Sequence, residues 1–334
     1  MKHTRRDLIR LAGQAMLAAP AFSSVGRGAV PSATGATGVE ARLSKLPLIT
    51  KRIPSTGERI PVIGVGTSGF RLDNYAELKA QLQRMHELGG TVIDSANTYA
   101  DSEIVIGRVL TELNLRRQMF VTTKFNATGF QPERIPVQAR DKIFGRESFE
   151  RSLERLHSGW VDVLFAHHLE SVEPLMPLLH EYKSAGKARY IGMTSAELVE
   201  HADMAEKMRR FPVDIIQVDY SLGNRDAATT LLPLAMERRI AVMIDVPMGG
   251  SRGSLLKAVA DRPLPAWAAD IDVTSWSQFL LKYVISHPAV TCVIPGSTRV
   301  EHLVDNQLAG RGRLPDAATR LKMEQYWDAV ANAG

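Results

Sequence analysis

Asp94-Ser-Ala-Asn-Thr-Tyr99, continuing into Ser102-Glu103 and Gly107, sets a carboxylate close to a phenol. Such a pair suits acid–base work, since a phenol can deliver a proton and a carboxylate can orient a cation beside it. Thr91-Val92-Ile93 just before it is a short, partly β-branched apolar run of the kind found inside a parallel sheet. The polar residues that follow open a loop. Ser102 is expected to cap the next helix, where Ile104, Val105, Val109 and Leu110 recur at helical spacing. Asp94 and Tyr99 therefore stand at the C-terminal end of a strand, where α/β sheets carry their chemistry.

Eight units of this kind are needed to account for the chain. The apolar runs are Val62 to Val65, Thr91 to Ile93, Met119 to Thr122, Val161 to Phe165, Tyr190 to Met193, Asp214 to Val218, Ile240 to Ile244 and Val290 to Ile294. Helical patterns follow them, over Tyr75 to Leu88, from Ser102, and from about Arg146 to Leu156 in the first three cases. Eight strand–helix units in series predict a closed α/β barrel, the (β/α)8 TIM fold, rather than an open sheet. Gly89-Gly90 and Gly186 fall just past helices, as helix stops should. Pro54 and Thr56-Gly57 predict an N-terminal β-hairpin joining Arg52 to Glu58 with Arg59 to Val62, placed to plug the barrel floor. Ala318, Leu321, Met323, Tyr326, Trp327 and Val330 predict an extra C-terminal helix packed outside the barrel.

The chain has 334 residues, 45% of them apolar, and a formal net charge of +5. Nine of its 41 basic residues and two of its 36 acidic ones lie within positions 1–52, leaving 32 against 34 in the rest. No global basic field survives there, so nucleic acid is not an expected partner. Cys292 is the sole cysteine, which excludes an intramolecular disulfide and a cysteine-based zinc site. Arg5-Arg6, the apolar run Leu11 to Ala19 and Ala19-Pro20-Ala21 make residues 1–30 read as a signal peptide. The paired arginines point to the twin-arginine export machinery and a periplasmic or otherwise exported protein with no membrane anchor after cleavage. Residues 31–50 are expected to be a flexible linker, leaving 51–334 for the barrel.

Two motifs invite other readings. Gly64-Val-Gly66-Thr-Ser-Gly69 matches the dinucleotide fingerprint, with Asp94 near the place of a ribose-binding acid. That fingerprint requires its last glycine to open a helix, whereas the first capping signal here is Asp73 or Asn74. His167-His168 with Glu170 suggests a metal site, but adjacent residues of a strand point to opposite faces. Without a bend, only one histidine faces the barrel mouth.

These residues together resemble the aldo-keto reductase superfamily over nearly the whole expected mature chain. The Asp94 to Gly107 stretch is similar to the family's second-strand signature, with Ala100 where glycine is usual. Thr122-Thr123-Lys124-Phe125 resembles its lysine motif, and Leu153-Glu-Arg-Leu156 with Val161 to His167 resembles the stretch ending in its histidine. The resemblance implies a catalytic tetrad of Asp94, Tyr99, Lys124 and His167. Its chemistry is coherent: reducing a carbonyl by hydride transfer leaves an alkoxide that must be protonated, and a free phenol with a pKa of ~10 does this reluctantly. Lys124 would lower the pKa of Tyr99, Asp94 would orient Lys124, and His167 would hydrogen-bond the substrate oxygen. Singly, Asp94 could cap a turn, Lys124 could reach to the rim and Tyr99 could simply pack. Their joint occurrence on three successive strand ends favours the tetrad.

The same resemblance implies a cofactor site. Gly66-Thr67 would lie on the nicotinamide side, Gln217 would hold the carboxamide, and Thr194-Ser195 stands where the family often has Ser-Asn. Ser297-Thr298-Arg299 with Asp305-Asn306 resembles the segment that grips the adenosine phosphate, favouring NADP(H) over NAD(H). No metal is expected. Asp245 lies near where many relatives place an aromatic ring, and an acid cannot stack on a nicotinamide. The loop from Asn126 to Gly145 is longer than a barrel connection needs and is expected to overhang the site. The expected activity is reversible hydride transfer between a nicotinamide and a small-molecule aldehyde, ketone or alcohol. Its rivals are an NADP(H)-binding sensor with little turnover and a metal-dependent barrel hydrolase or isomerase using His167, Glu170 and Asp245.

Overall fold

A hairpin comes first among the strands. β1 (Thr50–Arg52) pairs antiparallel with β2 (Arg59–Pro61), with Lys51 opposite Ile60. The computed structural model describes residues 38–127, 137–195, 200–250 and 253–332. The expected signal at 1–30 lies outside them. Eight parallel strands follow: β3 (Val65–Gly66), β4 (Val92–Asp94), β5 (Phe120–Phe125), β6 (Val161–His167), β7 (Ala188–Ser195), β8 (Ile215–Asp219), β9 (Ala241–Asp245) and β10 (Val290–Val293). They pair in sequence order, and bridges from Ile63 to Val293 and from Gly66 to Gly296 close β3 onto β10. The result is the expected (β/α)8 barrel. Just before β3, the chain passes so close to β4 at Gly64 that a side chain there would meet the Val92 carbonyl at 2.8 Å.

Eleven helices accompany these strands among the described residues: α1 (Gly38–Leu43), α2 (Tyr75–Glu87), α3 (Ser102–Glu112), α4 (Val137–Arg155), α5 (Val172–Ser184), α6 (His201–Arg210), α7 (Leu231–Arg238), α8 (Leu255–Ala258), α9 (Trp276–Ser286), α10 (Val300–Ala309) and α11 (Ala317–Asn332). α1 falls inside the stretch expected as linker; Leu43 is buried and Glu40 pairs with Arg84 of α2 at 2.5 Å. α4 starts at Val137 rather than near Arg146, which shortens the expected overhanging loop. Positions 128–136 of that loop lie outside the described residues. α11 is the expected outer helix, burying Met323, Trp327 and Val330, but Leu321 is 54% exposed and belongs to its outer face.

Two apolar layers hold these elements. Inside the barrel, Val92, Phe120, Val163, Phe165, Ile215 and Met243 pack with Ile53 and Ile60 of the hairpin, which plugs the floor. Lys51 fastens that plug by donating to the carbonyls of Ile285, His287 and Val290 at 2.7, 2.8 and 2.7 Å. The larger layer lies between strands and helices, where Leu78, Leu82, Val105, Val109 and Leu179 are fully buried. Gly107 allows α3 to approach α4 so closely that a side chain there would come within 2.1 Å of the Arg155 carbonyl. The glycine fingerprint does not open a helix: a short 3-10 turn at Leu72–Asn74 intervenes, and α2 begins at Tyr75.

Candidate active site

The polar mouth is assembled by strand alternation and register. Thr122 and Lys124, two residues apart on β5, share its inner face, and Asp94 on β4 pairs in register with Thr122. Lys124 donates to Asp94 Oδ2 at 2.5 Å and to the Ser95 carbonyl at 2.8 Å. Asp94 Oδ1 accepts from Thr122 at 2.6 Å and, across the barrel, from Gln217 at 3.1 Å. Lys124 and Asp94 are both essentially buried, at 1% and 2% exposure. Removing either partner would leave a buried charge, at a cost of about 3–5 kcal/mol.

Tyr99 is held over this pair by its loop. Asn97 N–H donates to the Lys124 carbonyl at 3.0 Å, and Tyr99 N–H donates to Ala96 at 3.1 Å. The Lys124 ammonium lies 5.0 Å from the Tyr99 ring centre, and His167 meets that ring edge-on with centres 6.0 Å apart. Charge from Lys124 acts to lower the phenol's pKa, but burial and the carboxylates of Asp94 and Asp245 outweigh it, so the net shift is upward. The expected lowering by Lys124 is thus present as the largest single influence, without deciding the net direction. Burial opposes the charge on Lys124, yet Asp94, Tyr99 and Asp245 overcome it and raise its pKa. His167 goes the other way: burial first, then the charge of Lys124 and then His168, bring it down to about 2. Its ring is neutral at any ordinary pH.

His167 and His168 do not splay to opposite faces. Their rings stack with centres 4.2 Å apart, because the chain turns into the left-handed region at His168, φ +70°, just after β6 ends. Even so, no group of three His, Cys, Asp or Glu suited to a metal occurs among the described residues, and His167, Glu170 and Asp245 form none. Ser102 is also placed differently from the expected cap. Asp101 precedes α3, while the buried Ser102 hydroxyl meets Thr67 and Ser95 hydroxyls at 2.5 and 2.8 Å. The left-handed turn at Ala100, φ +41°, gives physical meaning to the sequence departure there.

The aldo/keto reductase family profile matches residues 62–320. This chain belongs to the aldo/keto reductase family. It is 30% identical over 224 residues to a putative aryl-alcohol dehydrogenase, AAD14, of Saccharomyces cerevisiae, covering 60% of this chain and 57% of that relative. The chain thus spans less than two thirds of that relative's length. It is also 30% identical over 277 residues to methylglyoxal reductase YeaE of Escherichia coli, covering 77% of this chain and 88% of the relative. An aldo/keto reductase from Klebsiella pneumoniae, solved with NADP and acetate, shares the fold at 24% identity and a TM-score of 0.65, covering 84% of this chain and 96% of its own.

Register also places the remaining expected contacts. His167, Thr194 and Gln217 stand in line across β6, β7 and β8, with Thr194 paired to both neighbours. Ser195 is buried and its hydroxyl bonds the Glu200 carboxylate. Gly66 ends β3, but the Thr67 hydroxyl is turned inward, donating to the Asp94 carbonyl at 2.7 Å. Asp305 is likewise engaged with its own scaffold, accepting from Ser275 and Gln278 of the α9 N-terminus, both at 2.7 Å. Asn306 is buried. Ser297 hydroxyl closes on the backbone of Arg299, whose exposed side chain pairs with Glu301. Thr67 and Asp305 were expected at the cofactor, and here their side chains also tie β3 to the end of β4 and α10 to the start of α9.

A cavity of about 260 Å³ opens beside this mouth between the ends of β8 and β9, lined in part by Asp219, Ser221, Asn224, Val246, Gly249 and Gly253. Among the described residues, none outside its own chain neighbours comes within 4 Å of where a side chain on Gly253 would begin. A bound dinucleotide, as the family resemblance implies, would have Gln217 and Thr194 at the mouth and Ser297, Thr298 and Arg299 toward its phosphate end, with the hydroxyls and backbone of this cavity available beside them. Sequence reasoning gave no role to Thr122 or Asn126. Thr122 had a signal, a polar residue on the inner face two positions before the lysine.

Proposed function

We propose that this chain is an NADP(H)-dependent aldo-keto reductase that interconverts aldehydes or ketones with alcohols, with Tyr99 as the proton donor. The observation that carries the reading is the buried Lys124–Asp94 pair set beneath Tyr99, with a neutral His167 at the phenol's edge. The nicotinamide, when bound, supplies or accepts the hydride. Gln217 and Thr194 would hold its mouth-side end, and Ser297, Thr298 and Arg299 its phosphate end. Tyr99 stays protonated at neutral pH, as carbonyl reduction requires, and gives its proton to the substrate oxygen as charge develops there. The Lys124 ammonium stabilises the phenolate as it forms, and Asp94 fixes that ammonium in place. His167, uncharged, hydrogen-bonds the same oxygen.

The names of the relatives suggest aromatic aldehydes and small dicarbonyls as the first probes. Arg5-Arg6 and the apolar run after it extend the proposal to export by the twin-arginine route, which carries folded proteins and so permits cofactor loading in the cytoplasm. Purified protein should oxidise NADPH with members of this panel, faster than NADH. Tight NADP(H) binding with no turnover across the panel would mark a sensor instead.

A further inference from the structure

A neutral imidazole has one N–H and one bare nitrogen, and which is which decides whether it donates or accepts toward a ligand. His167 is such a ring, kept neutral chiefly by burial. Its Nδ1 lies 3.2 Å from Oδ1 of Asn126, the residue that follows β5. With the amide turned that way Nδ1 must carry the hydrogen, because an amide oxygen only accepts, and Nε2 is left bare. A carbonyl or a forming alkoxide needs a donor, and a bare nitrogen would repel it. A half-turn about the Asn126 Cβ–Cγ bond exchanges oxygen for NH2 with almost no change of shape. The ring then releases its Nδ1 proton to water, takes one up at Nε2 and remains neutral.

Granted the carbonyl chemistry proposed above, we propose that Asn126 is a positioning residue that selects the tautomer of His167, its NH2 keeping Nδ1 bare so that Nε2–H faces the substrate oxygen. An amide is suited to the task because it offers either a donor or an acceptor from the same place. A carboxylate at 126 offers only an acceptor and locks the ring in the unproductive form. An apolar side chain of similar shape leaves the ring free to take either form. A wrong histidine tautomer costs about 10⁴ in the serine proteases, so the effect is large enough to read.

The test uses the full chain loaded with NADP(H), comparing wild type with Asn126→Asp and Asn126→Leu above neutral pH. Nitrogen-15 shifts of the His167 ring report the tautomer, and steady-state kinetics report kcat and KM. The expected result is Nε2–H in wild type and Nδ1–H in Asn126→Asp, with kcat about a hundredfold lower and KM little changed. Asn126→Leu should lose less than Asn126→Asp although it is the less similar side chain. Retention of Nε2–H in Asn126→Asp, or a larger loss in Asn126→Leu, would overturn the assignment, since packing alone predicts that order. The ring shifts do not depend on turnover. A chain that shows the tautomer change but reduces no carbonyl would therefore support Asn126 in this role while removing the proposed function.

Discussion

The floor and the mouth of this barrel are both built from buried or half-buried charges, but they close differently. At the floor, Asp162 accepts from Val121 N–H at 2.8 Å, Arg189 at 2.6 Å and Arg116 at 3.3 Å. Arg189 reaches on to Glu58 of the hairpin at 2.6 Å, and Tyr190 hydroxyl donates to the same carboxylate at 2.5 Å. Every charge there ends on another part of the scaffold. At the mouth, Asp94 is as fully engaged, yet the chain of influence runs outward through Lys124 to Tyr99 and a neutral His167. The floor stabilises and the mouth reacts, as (β/α)8 barrels generally divide their two ends.

Matched substitutions at the two ends should separate most sharply. Lys124→Met is expected to lower kcat by a factor of about 10³ or more and to destabilise by about 3–5 kcal/mol, because Asp94 is left buried without its cation. Asp162→Asn should destabilise by about 1–3 kcal/mol with kcat unchanged. Urea unfolding and steady-state kinetics on both variants check this, and loss of kcat in Asp162→Asn would break the division.

The pH dependence sharpens the same contrast. The folded pKa of His167 is depressed to about 2 from 6.5, so the stability it contributes is present above 6.5. As pH falls from 6.5 toward 2 the unfolded chain takes up a proton that the folded one refuses, and stability declines. Thermal unfolding of His167→Gln against wild type should show a shallower decline across that window. Asp245 helps to raise the pKa of Tyr99, so Asp245→Asn should move the alkaline limb of kcat/KM for reduction to lower pH, by about one unit or less. A limb that moves upward would contradict the placement of that carboxylate. The smallest effect is at Ala100. Glycine relieves the left-handed turn but adds freedom to the unfolded chain, so Ala100→Gly should stabilise by about 0.5–1 kcal/mol, read as a small rise in urea midpoint.

Much of this was legible in the residues. The eight apolar runs mark the eight barrel strands, and Pro54 with Thr56-Gly57 marks the hairpin, because buried parallel strands and tight turns leave local compositional traces. Asp94, Tyr99, Lys124 and His167 were nameable through the family likeness, and the structure gathers them at one mouth. What the sequence could not carry was direction and partnership. Thr67 and Asp305 are expected cofactor positions, and nothing in the sequence announces that one hydroxyl turns inward to Asp94 or that the other side chain accepts from Ser275 at a helix end. The stacking of His167 on His168 depends on one positive φ, which histidine does not advertise. The early start of α4 is hidden because Arg140, Asp141 and Lys142 interrupt the apolar rhythm. The net upward shift of Tyr99 combines burial with the carboxylates of Asp94 and Asp245, and Asp245 comes from a strand remote in sequence.

The most direct test of the central claim is a single-turnover measurement. Saturating NADPH is bound to the full chain, an accepted aldehyde is mixed in, and loss of NADPH absorbance is followed for wild type and Tyr99→Phe. Tyr99 as proton donor predicts a fall of at least about a hundredfold in that rate with NADPH affinity unchanged. An undiminished rate in Tyr99→Phe would contradict it.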